Sequence, residues 1–115
     1  MRSFNNFPAV DMPTTTVETP YYRKFSDTQY KALQHGYRPR GTDDRWFIYL
    51  KDDWLYVHRS WTGFCIFKVN IAEDNGSYTS TILQINRDIN QYRSTNIESD
   101  IAELNSVLNS MFVSI

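Results

Sequence analysis

The chain is poor in the residues that most often fix the chemistry of a small protein. It has one cysteine in 115 residues, so no internal disulfide can form, and no Cys/His group has the spacing of a structural zinc site. Glycine and proline number four each, too few for a low-complexity or collagen-like chain. No apolar run approaches the roughly 18 residues of a membrane helix, and the N-terminus, MRSFNNFPAV, has no signal-peptide core. No charge of one sign dominates. The formal net charge is −1, which excludes the broad basic footprint of a general DNA or RNA binder. P-loop, GxGxxG, HExxH and GxSxG motifs are all missing. These absences predict a soluble cytoplasmic chain of one domain, with no membrane segment, no cofactor and no metal site.

Aromatic residues, by contrast, are abundant: eight Tyr, seven Phe and three Trp make 16% of the chain. All three tryptophans fall between Arg45 and Lys68, in RWFIYLKDDWLYVHRSWTGFCIFK, beside His58, Arg59 and Cys65. Trp is costly to place, because a large ring must be buried while its N–H finds a partner. Packing and chemistry are therefore concentrated in this stretch. Charge is also uneven. Residues 1–72 carry ten Lys/Arg against seven Asp/Glu, and residues 73–115 carry two against six. A basic aromatic body beside an acidic C-terminal part can orient an anion; two ordinary solvated faces would look the same.

The elements read as α+β. Residues 1–22 form an extended arm, because Pro8, Pro13 and Pro20 forbid a helix interior or a central strand. Phe4, Phe7, Val10 and Met12 give the arm apolar anchors, so it either docks on the body or on a second subunit, or stays disordered. Residues 23–115 form the single domain. Ser26-Asp27-Thr28-Gln29 fits a capping box, with Phe25 and Tyr30 placed as a hydrophobic staple. Gly36 and Pro39 end this short helix. Arg45–Leu50 and Trp54–Arg59 read as strands around the turn Lys51-Asp52-Asp53, apolar on both faces and hence covered on both. A third strand spans Phe64–Ile71. Asn75-Gly76 is a hairpin turn rather than the glycosylation sequon that Asn75-Gly76-Ser77 also matches. The fourth strand spans Ser77 to about Asn86, and Thr79, Ser80 and Thr81 suggest an exposed or edge position. A second capping box, Thr95-Asn96-Ile97-Glu98, opens a helix with Ile97, Ile101, Leu104, Leu108, Met111 and Phe112 on one stripe. The expectation is a four-stranded antiparallel meander, flanked by the short helix and packed against the longer C-terminal one.

Two polar clusters carry the candidate chemistry. His58, Arg59, Ser60, Trp61 and Thr62 end the second strand, where a rigid sheet presents side chains to solvent. Arg offers planar donors for phosphate or carboxylate and Trp a stacking face. The plain alternative is a Trp-anchored turn with Arg59 lying on an indole. Asn86-Arg87-Asp88 and Gln91-Tyr92-Arg93-Ser94-Thr95 form the other cluster, in a loop leading to a helix N-terminus, which favours anions. If both loops leave the sheet at one end, the clusters converge. His58 alone reads more readily as a hydrogen-bonded core residue than as an acid or base. Cys65, in GFCIF, reads as a small core hydrophobe. The doublets Asp43-Asp44 and Asp52-Asp53 could hold a divalent cation, but acidic turns are ordinary soluble turns.

On the core RWFIYLKDDWLYVHRSWTGFCIFKV and the later Asn86–Asp88 and Gln91–Thr95 segment, the chain resembles a small bacterial domain with a WFIYLEDDWLYFHRSWTGFCIY-like core. The resemblance covers residues 43 to about 112. Its matched polar positions are Asp52, Asp53, His58, Arg59, Trp61, Asn86, Arg87, Gln91, Tyr92 and Arg93; Lys51 departs from the acidic residue of that core. The resemblance implies an association with ADP-ribose-handling proteins. Taken together, the chain is expected to be a non-catalytic module binding a nucleotide-like or ADP-ribose-like anion through His58, Arg59, Trp61, Arg87, Gln91, Tyr92 and Arg93. Two alternatives stay open. One is a protein-interaction module with an aromatic interface, including self-association through the arm. The other is a small hydrolase of ADP-ribose or phosphoester bonds, with Asp52 or Asp53 paired to His58 as acid and base.

Overall fold

The computed structural model describes residues 2–4, 7–41 and 43–113. In chain order the elements are β1 (Arg2–Phe4), β2 (Phe7–Ala9), β3 (Thr16–Phe25), α1 (Asp27–His35), β4 (Trp46–Lys51), β5 (Trp54–Arg59), β6 (Cys65–Asp74), β7 (Ser77–Asn86) and α2 (Ile97–Val113). The fold class is α+β, with one sheet of five strands in the order β3-β7-β6-β5-β4, every neighbouring pair antiparallel. The four-stranded meander is present as β4 to β7, but the sheet is not four-stranded. Residues 16–25, within and just beyond the expected arm, form the fifth strand, and residue 22 lies inside it.

Strand β3 pairs with β7 from Thr16↔Asn86 to Phe25↔Tyr78. The Thr-rich strand β7 is therefore interior, and β3 takes the edge. Proline explains the exchange. Pro20 has no N–H for a second ladder, so the strand that contains it belongs at an edge. Ser80 is polar for another reason. It is fully buried and donates its hydroxyl to the Tyr21 carbonyl at 2.7 Å, where the β3–β7 register shifts.

Two of the three hairpin turns have the two consecutive positive-φ residues that match the twist of paired strands. Asp52 (φ 53°) and Asp53 (φ 67°) join β4 to β5; Asn75 (φ 51°) and Gly76 (φ 80°) join β6 to β7. Helix α1 carries its full capping box, with Gln29 N to Ser26 Oγ and Ser26 N to Gln29 Oε1 both at 3.1 Å. Gly36 ends it at φ 79°, and a Cβ there would lie 2.6 Å from the Ile48 carbonyl oxygen. That close approach lets Tyr37 exchange two backbone hydrogen bonds with Ile48 on the outer edge of β4. Helix α2 is capped by Asn96, whose side chain accepts from Ser99 N at 3.0 Å, one residue later than the expected Thr95.

One sheet face packs under both helices. Leu55, Val57, Phe67, Val69, Leu83 and Ile85 meet Leu33 of α1 and Leu104, Leu108 and Met111 of α2. The opposite face is covered over β4 and β5 by the N-terminal segment, where Ala9 packs with Phe47, Tyr49 and Tyr56. The arm is thus docked on its own body at residues 9 and 10. This accounts for a hairpin that is apolar on both sides.

Candidate functional site

In an antiparallel meander, strands two places apart run the same way. Strands β5 and β7 therefore end at the same edge of the sheet, where β4 and β6 begin. Their loops meet there. An open groove of about 640 Å³ at this edge is lined by Arg45, Arg59, Trp61, Thr62, Phe64, Asn90, Gln91, Tyr92, Arg93 and Ser94. The two sequence clusters thus share one concavity, and Arg59, Trp61, Gln91, Tyr92 and Arg93 all reach it.

The β5–β6 loop is a tight turn. Gly63 N donates to Arg59 O (2.8 Å) and Arg59 N to Phe64 O (2.9 Å), while Ser60 N and Oγ reach the Arg45 and Asp44 carbonyls (2.8 and 2.7 Å). Gly63 makes the turn possible by taking φ 80°. Trp61, at its tip, is 73% exposed. The Arg59 guanidinium lies 4.6 Å from the ring centroid of Trp46, a cation–π contact that fixes its plane at the groove wall.

The second loop is held by side-chain amides. Asn86 is completely buried. Its Nδ2 donates to Cys65 O (2.9 Å) and to Gln91 Oε1 (2.8 Å), and its Oδ1 accepts from Asp88 N (2.8 Å). Gln91 N and Tyr92 N close the turn on Asp88 O (2.9 and 2.8 Å). The Tyr92 ring meets Phe67 edge-on, with centroids 6.0 Å apart.

Beneath this loop lies Asp100, fully buried in the first turn of α2 and accepting from Arg87 Nη2 and from Tyr92 Oη (2.7 Å). Burial raises the carboxyl; hydrogen bonds from Ser94, Tyr92 and Arg87 outweigh that and hold it below the ordinary carboxylate range. Burial, and then the bond to Asp100, push the Tyr92 phenol up to about 12. Arg87 is accordingly an ion-pair partner behind the groove and does not line it.

His58 does not line the groove either. It is 1% exposed, on the arm-covered face, with its ring stacked on Tyr49 at 5.4 Å. Its Nδ1 donates to the Gly63 carbonyl at 2.8 Å, and Val10 N donates to the same oxygen at 2.8 Å. The histidine therefore anchors the loop and the arm together from below. Cys65 is its Cα partner on β6, also fully buried, and burial pushes its thiol up to about 12. A thiol in that state is no nucleophile near neutral pH.

Sequence reasoning missed Arg45, Phe64, Asn90 and the buried Asp100. Arg45 was legible in part, since pairing Trp46 with Arg59 brings residue 45 to the same sheet end. Asp100 also left a signal, an acid on the apolar stripe of a helix between Ile97 and Leu104. The turn doublet Asp52-Asp53 lies at the far end of β5, five residues or about 17 Å from the groove. Asp43 and Asp44 line a neighbouring depression of about 280 Å³ with Glu103, and Arg45 borders both hollows. Among the described residues no group of three or more His, Cys, Asp or Glu is placed to hold a metal, and no helix is long and apolar enough to cross a membrane. Comparison of the chain with family models, with curated proteins and with solved structures finds no match.

Proposed function

We propose that the groove binds an anionic small molecule with a flat ring system, of nucleotide or ADP-ribose type, and that the protein is a non-catalytic module that senses or sequesters it. One observation carries the reading. Arg45, Arg59 and Arg93 come from three separate segments to one groove, beside Trp61, Phe64 and Tyr92, and no carboxylate is among the described residues lining it. Gathering three guanidinium groups costs Coulomb energy that a bound anion offsets. Guanidinium planes suit phosphate and carboxylate oxygens, and an exposed indole offers a stacking face. Among the described residues the lining holds hydroxyls at Thr62 and Ser94 but no acid, histidine or thiol to act on them as a base, which supports binding over catalysis. The resemblance of the core to an ADP-ribose-associated bacterial domain points to the same ligand class.

The test is thermal shift and calorimetry with ADP-ribose, NAD and cyclic dinucleotides. A ligand held at a hundred times its Kd stabilises the fold by about 2.7 kcal/mol, and stacking on Trp61 quenches indole fluorescence. No shift at millimolar concentration with any of them refutes the reading. A protein-interaction module is the second reading, favoured by the 73% exposure of Trp61, a typical interface anchor. Light scattering addresses it: a strictly monomeric chain that recovers no partner counts against it.

A further inference from the structure

We infer that the groove selects ligands whose ring carries a carbonyl oxygen in place of an exocyclic amine, because the Gln91 amide is locked in one orientation. The inference rests on the anion-binding reading above and sharpens it to a class of base.

Which way an amide side chain faces is ordinarily ambiguous, since its oxygen and nitrogen have nearly the same shape. Here the backbone resolves it in two steps. Asn86 is completely buried between groups of fixed polarity: the Cys65 carbonyl can only accept and the Asp88 N–H can only donate. Asn86 must therefore turn its Nδ2 towards Cys65 and its Oδ1 towards Asp88. The same Nδ2 also faces the Gln91 side chain at 2.8 Å, so Gln91 must present Oε1 to it. Flipping Gln91 would set two N–H₂ groups against each other beside a buried residue, and flipping both would break the two backbone bonds. With Oε1 committed to Asn86, the Nε2 donors are what Gln91 has left to offer the groove that it lines.

The nearby hydroxyls divide: Thr62 Oγ1 accepts from Phe64 N at 3.2 Å and keeps its O–H for the groove, whereas Tyr92 and Ser94 donate to Asp100 and keep only acceptor oxygens. Donors still form the majority of the polar lining, because the guanidinium groups of Arg45, Arg59 and Arg93 and the Nε2 of Gln91 outnumber those two acceptor oxygens. A 6-oxopurine presents acceptors at N7 and O6 of one edge, whereas adenine presents an acceptor and an amine donor there. Uracil and cytosine differ likewise at position 4. A donor-rich wall satisfies the oxo bases and leaves the amine of the others facing N–H groups. Asn86 is the positioning residue for this selectivity, and Gln91 makes the contact.

Four nucleoside monophosphates isolate the effect, because they share a phosphate and differ in carbonyl against amine. Calorimetric titration of the unmodified protein should give inosine monophosphate at least tenfold tighter binding than adenosine monophosphate, and uridine at least tenfold tighter than cytidine monophosphate. Gln91→Glu keeps an acceptor for Asn86 and replaces the groove-facing donor with an anion. It should weaken inosine monophosphate binding more than tenfold with an unchanged melting temperature. Equal affinity for all four, or preference for the amines, overturns the inference while the anion reading stands. Failure of all four to bind at millimolar concentration overturns the inference together with the anion reading for monophosphates.

Discussion

Replacing Asp100 with Asn should weaken the fold far more than any charge change at the surface. Asp100 is fully buried and its partner Arg87 keeps only 15% of its side-chain surface exposed, so the pair has little water to fall back on. The carboxylate also takes the Tyr92 hydroxyl. Breaking one side of such a pair costs about 3–5 kcal/mol, mostly because the remaining charge stays buried without compensation. Asn keeps the shape and one acceptor oxygen, which places the loss near the lower figure, about 3 kcal/mol. For a domain of this size that corresponds to a fall of roughly 10–15 °C in Tm. Urea unfolding followed by far-UV circular dichroism measures it, with the m-value compared to exclude a change in the unfolded state. The sign of the pH dependence is fixed as well. The folded carboxyl is held below its ordinary value, so its contribution is present above about pH 4 and is lost as pH falls through the folded pKa. The gap between parent and Asp100→Asn should narrow in acid. Joint replacement with Arg87→Met and Asp100→Leu should cost less than the two single losses added, by at least about 1.5 kcal/mol. A penalty under about 1 kcal/mol for Asp100→Asn at pH 7, or strict additivity in the double variant, would show that the pair is solvated and the account of the loop anchor wrong.

Arg59→Ala should abolish anion binding with a loss of only about 1 kcal/mol from the cation–π contact. Trp46→Ala, which removes a ring packed on Phe67 and on the core, should cost about 3 kcal/mol. Equal destabilisation by the two, read from chemical denaturation, would make Arg59 a structural anchor and not a ligand contact. Gly36→Ala should destabilise by about 2 kcal/mol or more, since φ 79° and the 2.6 Å approach to Ile48 O both exclude a Cβ; a neutral result in a melting experiment contradicts the helix end described above. In base, Cys65 and Tyr92 both have raised folded values, so their contributions are intact below the ordinary values of 9.0 and 10.0 and are lost towards about 12. Stability measured by urea midpoint should fall across that window, and Tyr92→Phe should flatten its upper part.

Local chemistry was legible in the sequence wherever it decided the structure. Ser26 and Gln29 wrote a capping box, Asn75-Gly76 a two-residue turn, and the alternating runs after Arg45 and Trp54 a hairpin covered on both sides. Non-local pairing was not legible. Thr16–Phe25 contains a proline and mixed polarity, and nothing within it shows that its partner is β7 across the entire meander. The same limit applies to the groove. The two loop clusters were visible as compositions, and that they meet follows from strand direction, but whether an arginine faces the groove or an ion pair depends on tertiary contacts. Arg87 and Arg93 are only six residues apart, yet one is consumed by Asp100 and the other lines the groove. His58 reads from sequence more readily as a hydrogen-bonded core residue, and its bond to Gly63 O and its ring stack on Tyr49 place it there, away from the ligand contacts among which it was also expected.

The pairing of β3 with β7 also dictates an order of assembly. Strand β3 precedes the meander in the chain but rests on its last strand, so its ladder cannot close until every residue between them has been made. Bringing such distant partners together spends loop entropy before any contact compensates, which slows folding relative to a meander alone. During synthesis, β3 is without its β7 partner while β4, β5 and β6 emerge. The edge proline and the charged residues Glu18, Arg23 and Lys24 suit that interval, because they discourage the waiting strand from pairing with another chain.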